Sequence, residues 1–293
     1  MSPGALTERT KEYRIENAID QENVLQELAQ QYLLAGLARA GFFSRAGAVF
    51  HGGTCLRLVF GMNRFSEDLD FFLKQPDRGF AWHGYIDRIL KDAAGDGFRF
   101  TAADKSSGEE RDKRASVKKA MLRLEATSAF AAPDLPFARD PRKLIKVKFE
   151  IDTNPPPGST FGTRYIAFPT TAAITVQSLE SGFGMKLGAL LARPYVKGRD
   201  WYDFIWYVNK KIVPDLGLLE NALKQQGPWA GRDIPIDADW IVVHLHKKIA
   251  GIDWKDVRRD VQRFLPLREQ EALTLWDRQF FLHYAGLLRD LMS

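Results

Sequence analysis

Ala48-Val49-Phe50-His51-Gly52-Gly53-Thr54-Cys55-Leu56-Arg57-Leu58-Val59-Phe60, followed by Ser66-Glu67-Asp68-Leu69-Asp70-Phe71-Phe72-Leu73, is the stretch on which the fold turns. Ala48-Val49-Phe50 is a short apolar run that ends at a glycine pair, which predicts a strand running into a tight turn. From Thr54 to Phe60 the apolar residues Leu56, Val59 and Phe60 share one face of a helix. Strand, glycine turn and helix together aim backbone N–H groups at an anion. Ser66 to Leu73 then predicts a second strand despite its acidic residues. Side chains alternate along a strand, so Asp68 and Asp70 leave one face while Leu69 and Phe71 leave the other.

Upstream, Val24, Leu25, Leu28, Tyr32, Leu33, Ala35 and Leu37 recur at helical spacing, predicting one or two helices between about Arg14 and Ala46, with Gly41 as a break. Downstream, Trp82 to Ala94 reads as a helix. Phe98 to Thr101, Met121 to Glu125 and Leu144 to Asp152 read as strands, and the charged run Lys105 to Lys119 as a solvated hairpin connection. Pro155-Pro156-Pro157-Gly158 ends the last of these strands, because proline cannot donate to a ladder. From Gln177 the pattern is mostly helical: Leu179 to Leu191, Trp201 to Val208, Leu218 to Lys224, and helices through the C-terminal third. The boundary between the mixed region and the helical one is placed near Thr170, giving domains 1–170 and 171–293.

A chain of 293 residues, 45% hydrophobic and 27% charged, belongs to the globular class and has room for two packed domains. Cys55 is its only cysteine, so an internal disulfide and a cysteine-based zinc site are both excluded. The start of the chain carries no signal-peptide pattern, and no run approaches the roughly 18 apolar residues of a membrane helix. A cytoplasmic protein with no membrane partner is expected. The formal charge of +5 suits a polyanionic partner without identifying one. Its distribution says more, since Lys186, Arg193, Lys197, Arg199, Lys210 and Lys211 cluster against only Asp200 and Asp203.

Two aspartates one residue apart on a strand, with loop glycines ahead of them, form a recurring device for holding divalent cations and a triphosphate. Mg²⁺ takes hard oxygen ligands and completes its shell with water and phosphate. Two such ions about 4 Å apart activate an attacking hydroxyl and stabilise the leaving group. The third carboxylate comes from Lys146-Val147-Lys148-Phe149-Glu150-Ile151-Asp152, where Glu150 and Asp152 share a face; Glu150 is the first choice. Taken singly, Asp-X-Asp is common in surface loops and Gly-Gly is usually a turn needing positive φ. Their order and strand placement together give the signal. Arg57 either braces the carboxylates or touches phosphate, and Ser66 either bonds the triphosphate or caps the start of the strand. Lys186 lies on an otherwise apolar helix face, where its ammonium needs water or an anion. Arg199, Asp200 and Asp203 fit an ion-pair network orienting helices as well as they fit catalysis. The aromatics Trp201, Tyr202, Trp206 and Tyr207 at helical spacing are read as core, and His244 and His246, without partners at ligand spacing, as packing or surface residues. There is no dinucleotide fingerprint and no Walker lysine.

His51-Gly52-Gly53-Thr54-Cys55-Leu56-Arg57-Leu58 with Arg64-Phe65-Ser66-Glu67-Asp68-Leu69-Asp70-Phe71 resembles the AbiEii/AbiGii toxin family of nucleotidyltransferases. Cys55 alone departs from the pattern, where a small or alcohol side chain is commoner. A second likeness covers Lys186-Leu187-Gly188-Ala189-Leu190-Leu191-Ala192-Arg193 and Lys197-Gly198-Arg199-Asp200-Trp201-Tyr202-Asp203-Phe204, so the resemblance spans about Gln21 to Val208. It implies an α+β fold: a polymerase-β-like nucleotidyltransferase core with a small mixed sheet, N-terminal helices and a C-terminal helical domain. It also implies transfer of NMP from an NTP, with Mg²⁺ or Mn²⁺ on Asp68, Asp70 and Glu150. Gly52, Gly53, Thr54, Arg57, Ser66 and Lys186 then attend the nucleotide, Glu150 or Asp152 assists the acceptor hydroxyl, and Asp200 is required for function. The setting implied is the toxin half of a bacterial toxin–antitoxin or phage-defence pair, with a cognate antitoxin and an RNA acceptor, tRNA among the candidates. The competing readings are a non-catalytic RNA- or partner-binding protein on the same fold and an NTP-dependent phosphotransferase.

Overall fold

The computed structural model describes residues 3–104, 119–126, 135–140 and 143–293. The charged run from Lys105, read as a hairpin connection, lies outside the described residues as far as residue 118. The chain falls into two compact units, residues 1–155 with 162–176 and residues 156–161 with 177–293.

The first unit opens with helix α1 (Pro3–Thr10), α2 (Ala18–Arg39) and the short α3 (Phe42–Arg45). The Asn17 side chain caps α2 by accepting from the Ile19 and Asp20 N–H groups, both at 2.8 Å. α2 is buried nearly all round, with Leu25, Leu28, Leu33, Leu34 and Leu37 closed to solvent. A helix of that kind shows no polar stripe, and its polar side chains must find partners inside. Gln30 does so on the Ser66 carbonyl, and Gln26 on the Glu67 and Lys146 carbonyls.

Strand β1 (Ala48–His51), helix α4 (Gly52–Phe60) and strand β2 (Asp68–Leu73) follow, then α5 (His83–Gly95), β3 (Phe100–Asp104), β4 (Lys119–Ala126), β5 (Ile145–Asp152), β6 (Phe161–Ile166) and β7 (Ala172–Gln177). The strands form one mixed sheet in the order β3-β4-β5-β2-β1-β7-β6. β2 lies antiparallel to β1 and parallel to β5, and β1 pairs parallel with β7. Along β5 burial alternates without a break, Val147, Phe149 and Ile151 inward and Lys148, Glu150 and Asp152 toward the other face. Leu69 and Phe71 join the same inner layer, and Phe42, Phe71, Trp82 and Phe149 meet edge-on or stacked within it. α5 covers this layer with Ile86 and Ile89 against α2, where Gly36 leaves room for the Ile89 side chain.

β6 and β7 are a correction to the sequence reading, which ended the strands at the proline triplet. β6 is an edge strand exposed over most of its length, so it shows no two-residue burial period. β7 is a run of small and β-branched residues whose strand character comes from pairing with the distant β1.

The second unit is helical: α6 (Leu179–Ala192), α7 (Gly198–Asn209), α8 (Leu216–Gln225), α9 (Ala238–Ala250), α10 (Trp254–Gln262), the short α11 (Leu267–Gln270) and α12 (Arg278–Met292). Ser178, Asp215, Asp237, Asp253 and Asp277 cap five of them through side-chain oxygens. Each such cap contributes about 1 kcal/mol. Trp201, Phe204, Tyr207 and Phe281 fill its core; of the four aromatics read as core from their spacing, Trp201 and Tyr207 are buried, whereas Tyr202 and Trp206 are half-buried on the rim of the helix face. No helix among the described residues is long and apolar enough to cross a membrane.

Candidate active site

The turn between β1 and α4 is built on two glycines for two different reasons. Gly52 has φ +77°, the left-handed region that side chains avoid, and a Cβ there would lie 2.6 Å from Asp70 Oδ2. Gly53 has ordinary φ, but a Cβ on it would lie 2.5 Å from Arg64 Nη2 and 2.9 Å from Ser66 Oγ. The missing side chains therefore let Asp70 close on one side of the turn and Arg64 with Ser66 on the other. Thr54 is fully buried, and its hydroxyl donates to the Asp68 carbonyl, fastening the first turn of α4 to β2. Of the residues given to the nucleotide, Thr54 thus offers its hydroxyl to the strand.

β2 and β5 run in register, Asp68 opposite Lys148, Asp70 opposite Glu150 and Phe72 opposite Asp152. Paired residues in neighbouring strands share a face, so Asp68, Asp70, Lys148, Glu150 and Asp152 all stand on the side away from the core. His51, opposite Asp70 across β1, joins them, with its ring edge-on to Phe72. Burial pushes the Asp68 carboxyl up to about 6, helped by the charges of Asp70, Glu150 and Glu67 and opposed by Lys148. The Lys148 ammonium is ion-paired with Glu150. Burial alone would lower its pKa, but the hydrogen bond to Glu150 and the charges of Glu150, Asp68 and Asp70 raise it instead. Asp152 accepts the Asn154 N–H at 3.0 Å.

The segment leading into β2 is held from two sides. Arg57 donates from Nε to Glu27 Oε2 at 2.7 Å and from Nη1 to the Asn63 and Met62 carbonyls at 2.5 and 3.3 Å, with its guanidinium 4.3 Å over the Phe65 ring. These contacts are with α2 and the loop, so Arg57 shapes the segment that leads into β2. From α2, Gln30 donates to the Ser66 carbonyl at 2.9 Å and Gln26 to the Glu67 and Lys146 carbonyls at 3.2 and 2.7 Å. Gln26 therefore ties β5 to the segment that leads into β2.

In the second unit Lys186 has found its anions within the protein. Its ammonium lies 2.8 Å from Asp200 Oδ1 and 2.7 Å from Asp203 Oδ2, and Arg193 pairs with the other Asp200 oxygen. Asp203 is fully buried and Asp200 6% exposed. Gly198 lets α7 begin against the backbone of α10, its N–H bonded to Asp260 at 2.7 Å. Arg199 lies over Phe264, 4.3 Å from the ring centre.

A family profile, that of the nucleotidyl transferase AbiEii toxin of type IV toxin–antitoxin systems, matches residues 32–282. The chain belongs to this family. The AbiEii chain is therefore a nucleotidyltransferase, and its fold agrees with solved structures. It superimposes on MenT4, a nucleotidyltransferase toxin of Mycobacterium tuberculosis, with a TM-score of 0.50 and 19% identity over 98% of this chain and 99% of that one. JHP933 from Helicobacter pylori gives a TM-score of 0.50 and 17% identity over 92% and 91%. Likenesses at this identity speak for the fold. No curated protein matches the AbiEii chain by sequence.

The carboxylate face of this AbiEii chain suits a hard divalent cation in its chemistry, since Asp68 and Asp70 are adjacent oxygen donors with Glu150 in register. Among the described residues no three acidic, histidine or cysteine side chains converge on one point as they stand. Glu150 is drawn to Lys148 instead. The sequence reading missed Lys148, Arg64 and His51. Lys148 carried a usable signal, because it stands two residues before Glu150 on a strand and must share its face. Arg64 and His51 carried none beyond their places in the motif, for their roles depend on how closely the turn is packed.

Proposed function

We propose that the protein transfers NMP from an NTP to an acceptor hydroxyl, with Asp68 and Asp70 as the acidic pair at which the reaction takes place. The observation that carries this reading is the placement of both aspartates on one strand face, with Asp70 closed against Gly52 and Glu150 in register. Mg²⁺ or Mn²⁺ on Asp68, Asp70 and Glu150 would supply activation of the attacking oxygen and charge for the departing pyrophosphate. Backbone N–H groups at the Gly52–Gly53 end of α4 cradle phosphate oxygens, since the first turn of a helix leaves its donors unpaired. Ser66 Oγ, packed against Gly53, adds a hydroxyl donor at the same place. The acceptor oxygen bonds to the α-phosphorus, the bond from that phosphorus to the bridging oxygen breaks, and the proton passes to Glu150 or Asp152.

Lys186, Asp200 and Asp203 enter this reading as a preassembled cluster that fixes the lysine helix, the Lys186 ammonium being met by the two carboxylates. An RNA acceptor, tRNA among the candidates, is supported by the positive balance of the chain and by the basic stretch from Lys186 to Lys211. A cytoplasmic toxin held in check by a cognate antitoxin, in a phage-defence setting, completes the reading. Incubation with bacterial RNA and NTP labelled in turn at the α and γ positions tests it. Label from α alone is expected on the RNA; label from γ would make the protein a phosphotransferase, and label from neither would favour a binding role.

A further inference from the structure

Lys148 is a cation that the strand register places within the acidic row, ion-paired there with Glu150, and nothing in the nucleotidyl-transfer reading uses it. Neighbouring strands lie about 4.8 Å apart, so Asp68, Asp70 and Glu150 form a tight group that repels itself. Lys148 stands opposite Asp68 and reaches along its own strand to Glu150. The third carboxylate is thereby turned to an ammonium, and it does not meet the two aspartates at a common point. A divalent cation shared by Asp68, Asp70 and Glu150 has to take Glu150 from this ion pair.

We propose that Lys148 is a positioning residue that competes with the divalent cation for Glu150, keeping the third carboxylate off the Asp68–Asp70 pair until a cation displaces the ammonium. The inference rests on the reading that these three carboxylates hold the cation. Its consequences follow from charge. With Lys148 in place the carboxylates tolerate one another without a cation, and cation affinity is lower than the acidic residues alone would give. Once Glu150 turns to the cation, the released ammonium stays on the same face and offers a positive charge beside the site where phosphate arrives.

The test is Mn²⁺ binding to the full-length protein without nucleotide, by titration calorimetry and by the electron paramagnetic resonance of free Mn²⁺, with folding checked by thermal unfolding in chelator. Lys148→Met should bind Mn²⁺ on the order of tenfold more tightly, the size expected for removing one unit charge a few ångströms away at a partly buried site. Lys148→Arg keeps the charge and should bind as the unaltered protein does, which separates charge from packing. In a Glu150→Gln background the gain from Lys148→Met should vanish. Unchanged or weaker binding in Lys148→Met, or an equal gain with and without Glu150, overturns the proposal. Asp70→Asn separates the two levels. If it abolishes binding while Lys148→Met changes nothing, only the role of Lys148 falls; if it binds Mn²⁺ normally, the cation reading falls as well.

Discussion

At the scale of single residues, Asp68 is the most informative group, because its carboxyl is pushed up to about 6 from an ordinary 3.8, first by burial and then by Asp70. A carboxyl whose folded pKa exceeds its unfolded one binds its proton more readily in the folded state. Ionisation then costs stability, in full above about pH 6, and the cost is relieved as pH falls from about 6 toward about 4. Asp68→Asn should therefore stabilise the metal-free protein at pH 7.5 by on the order of 1 to 2 kcal/mol, after allowing for solvent relaxation. The advantage should shrink when the comparison is repeated at pH 5. Thermal unfolding in chelator at both pH values checks this, and a variant less stable than the parent at pH 7.5 would speak against a repelling acidic pair. Much of this site was legible from residue alternation alone: Asp68, Asp70, Glu150 and Asp152 share a face as the two-residue period requires. The hydroxyl of Thr54 and the guanidinium of Arg57 were not, because what a polar side chain bonds is set by tertiary neighbours such as the Asp68 carbonyl and Glu27.

At the scale of elements, the β1–α4–β2 unit is held by close approach more than by apolar area. Arg64 is 2% exposed and Gly53 leaves it no room to retreat from a methyl group. Gly53→Ala should cost about 1 to 3 kcal/mol of stability, the usual range for overpacking. It should also reduce nucleotide turnover more than tenfold, because Ser66 and the first turn of α4 shift together. Gly61→Ala, whose added Cβ meets nothing within 4 Å but whose φ is +74°, is the control for backbone strain alone. Comparable loss of turnover in both variants would show that packing at Gly53 is unimportant. The strand–glycine–helix signal was readable because each piece is local. The edge strand β6 and the long-range partner β7 were not, since one is hardly buried and the other depends on β1.

At the scale of the whole molecule, the charges in the second unit separate stability from chemistry. Lys186→Ala leaves the fully buried Asp203 without the ammonium that lies 2.7 Å away, a change that typically costs about 3 kcal/mol or more. It should lower the melting temperature clearly, the opposite of Asp68→Asn, and Lys186→Arg should recover only part of the loss. Equal melting temperatures for Lys186→Ala and the parent would show that the ion pairs contribute nothing to folding. Activity in Lys186 variants has to be judged against that loss, whereas the acidic pair is free of the difficulty. The most direct test of the central claim is therefore transfer of label from α-labelled NTP to RNA, in the presence of Mg²⁺, by Asp68→Asn and Asp70→Asn proteins shown to be folded. A fall of at least a hundredfold in both is expected, consistent with removal of charge that acts on the transition state. Undiminished transfer in both would contradict the assignment of nucleotidyl transfer to this face of the sheet.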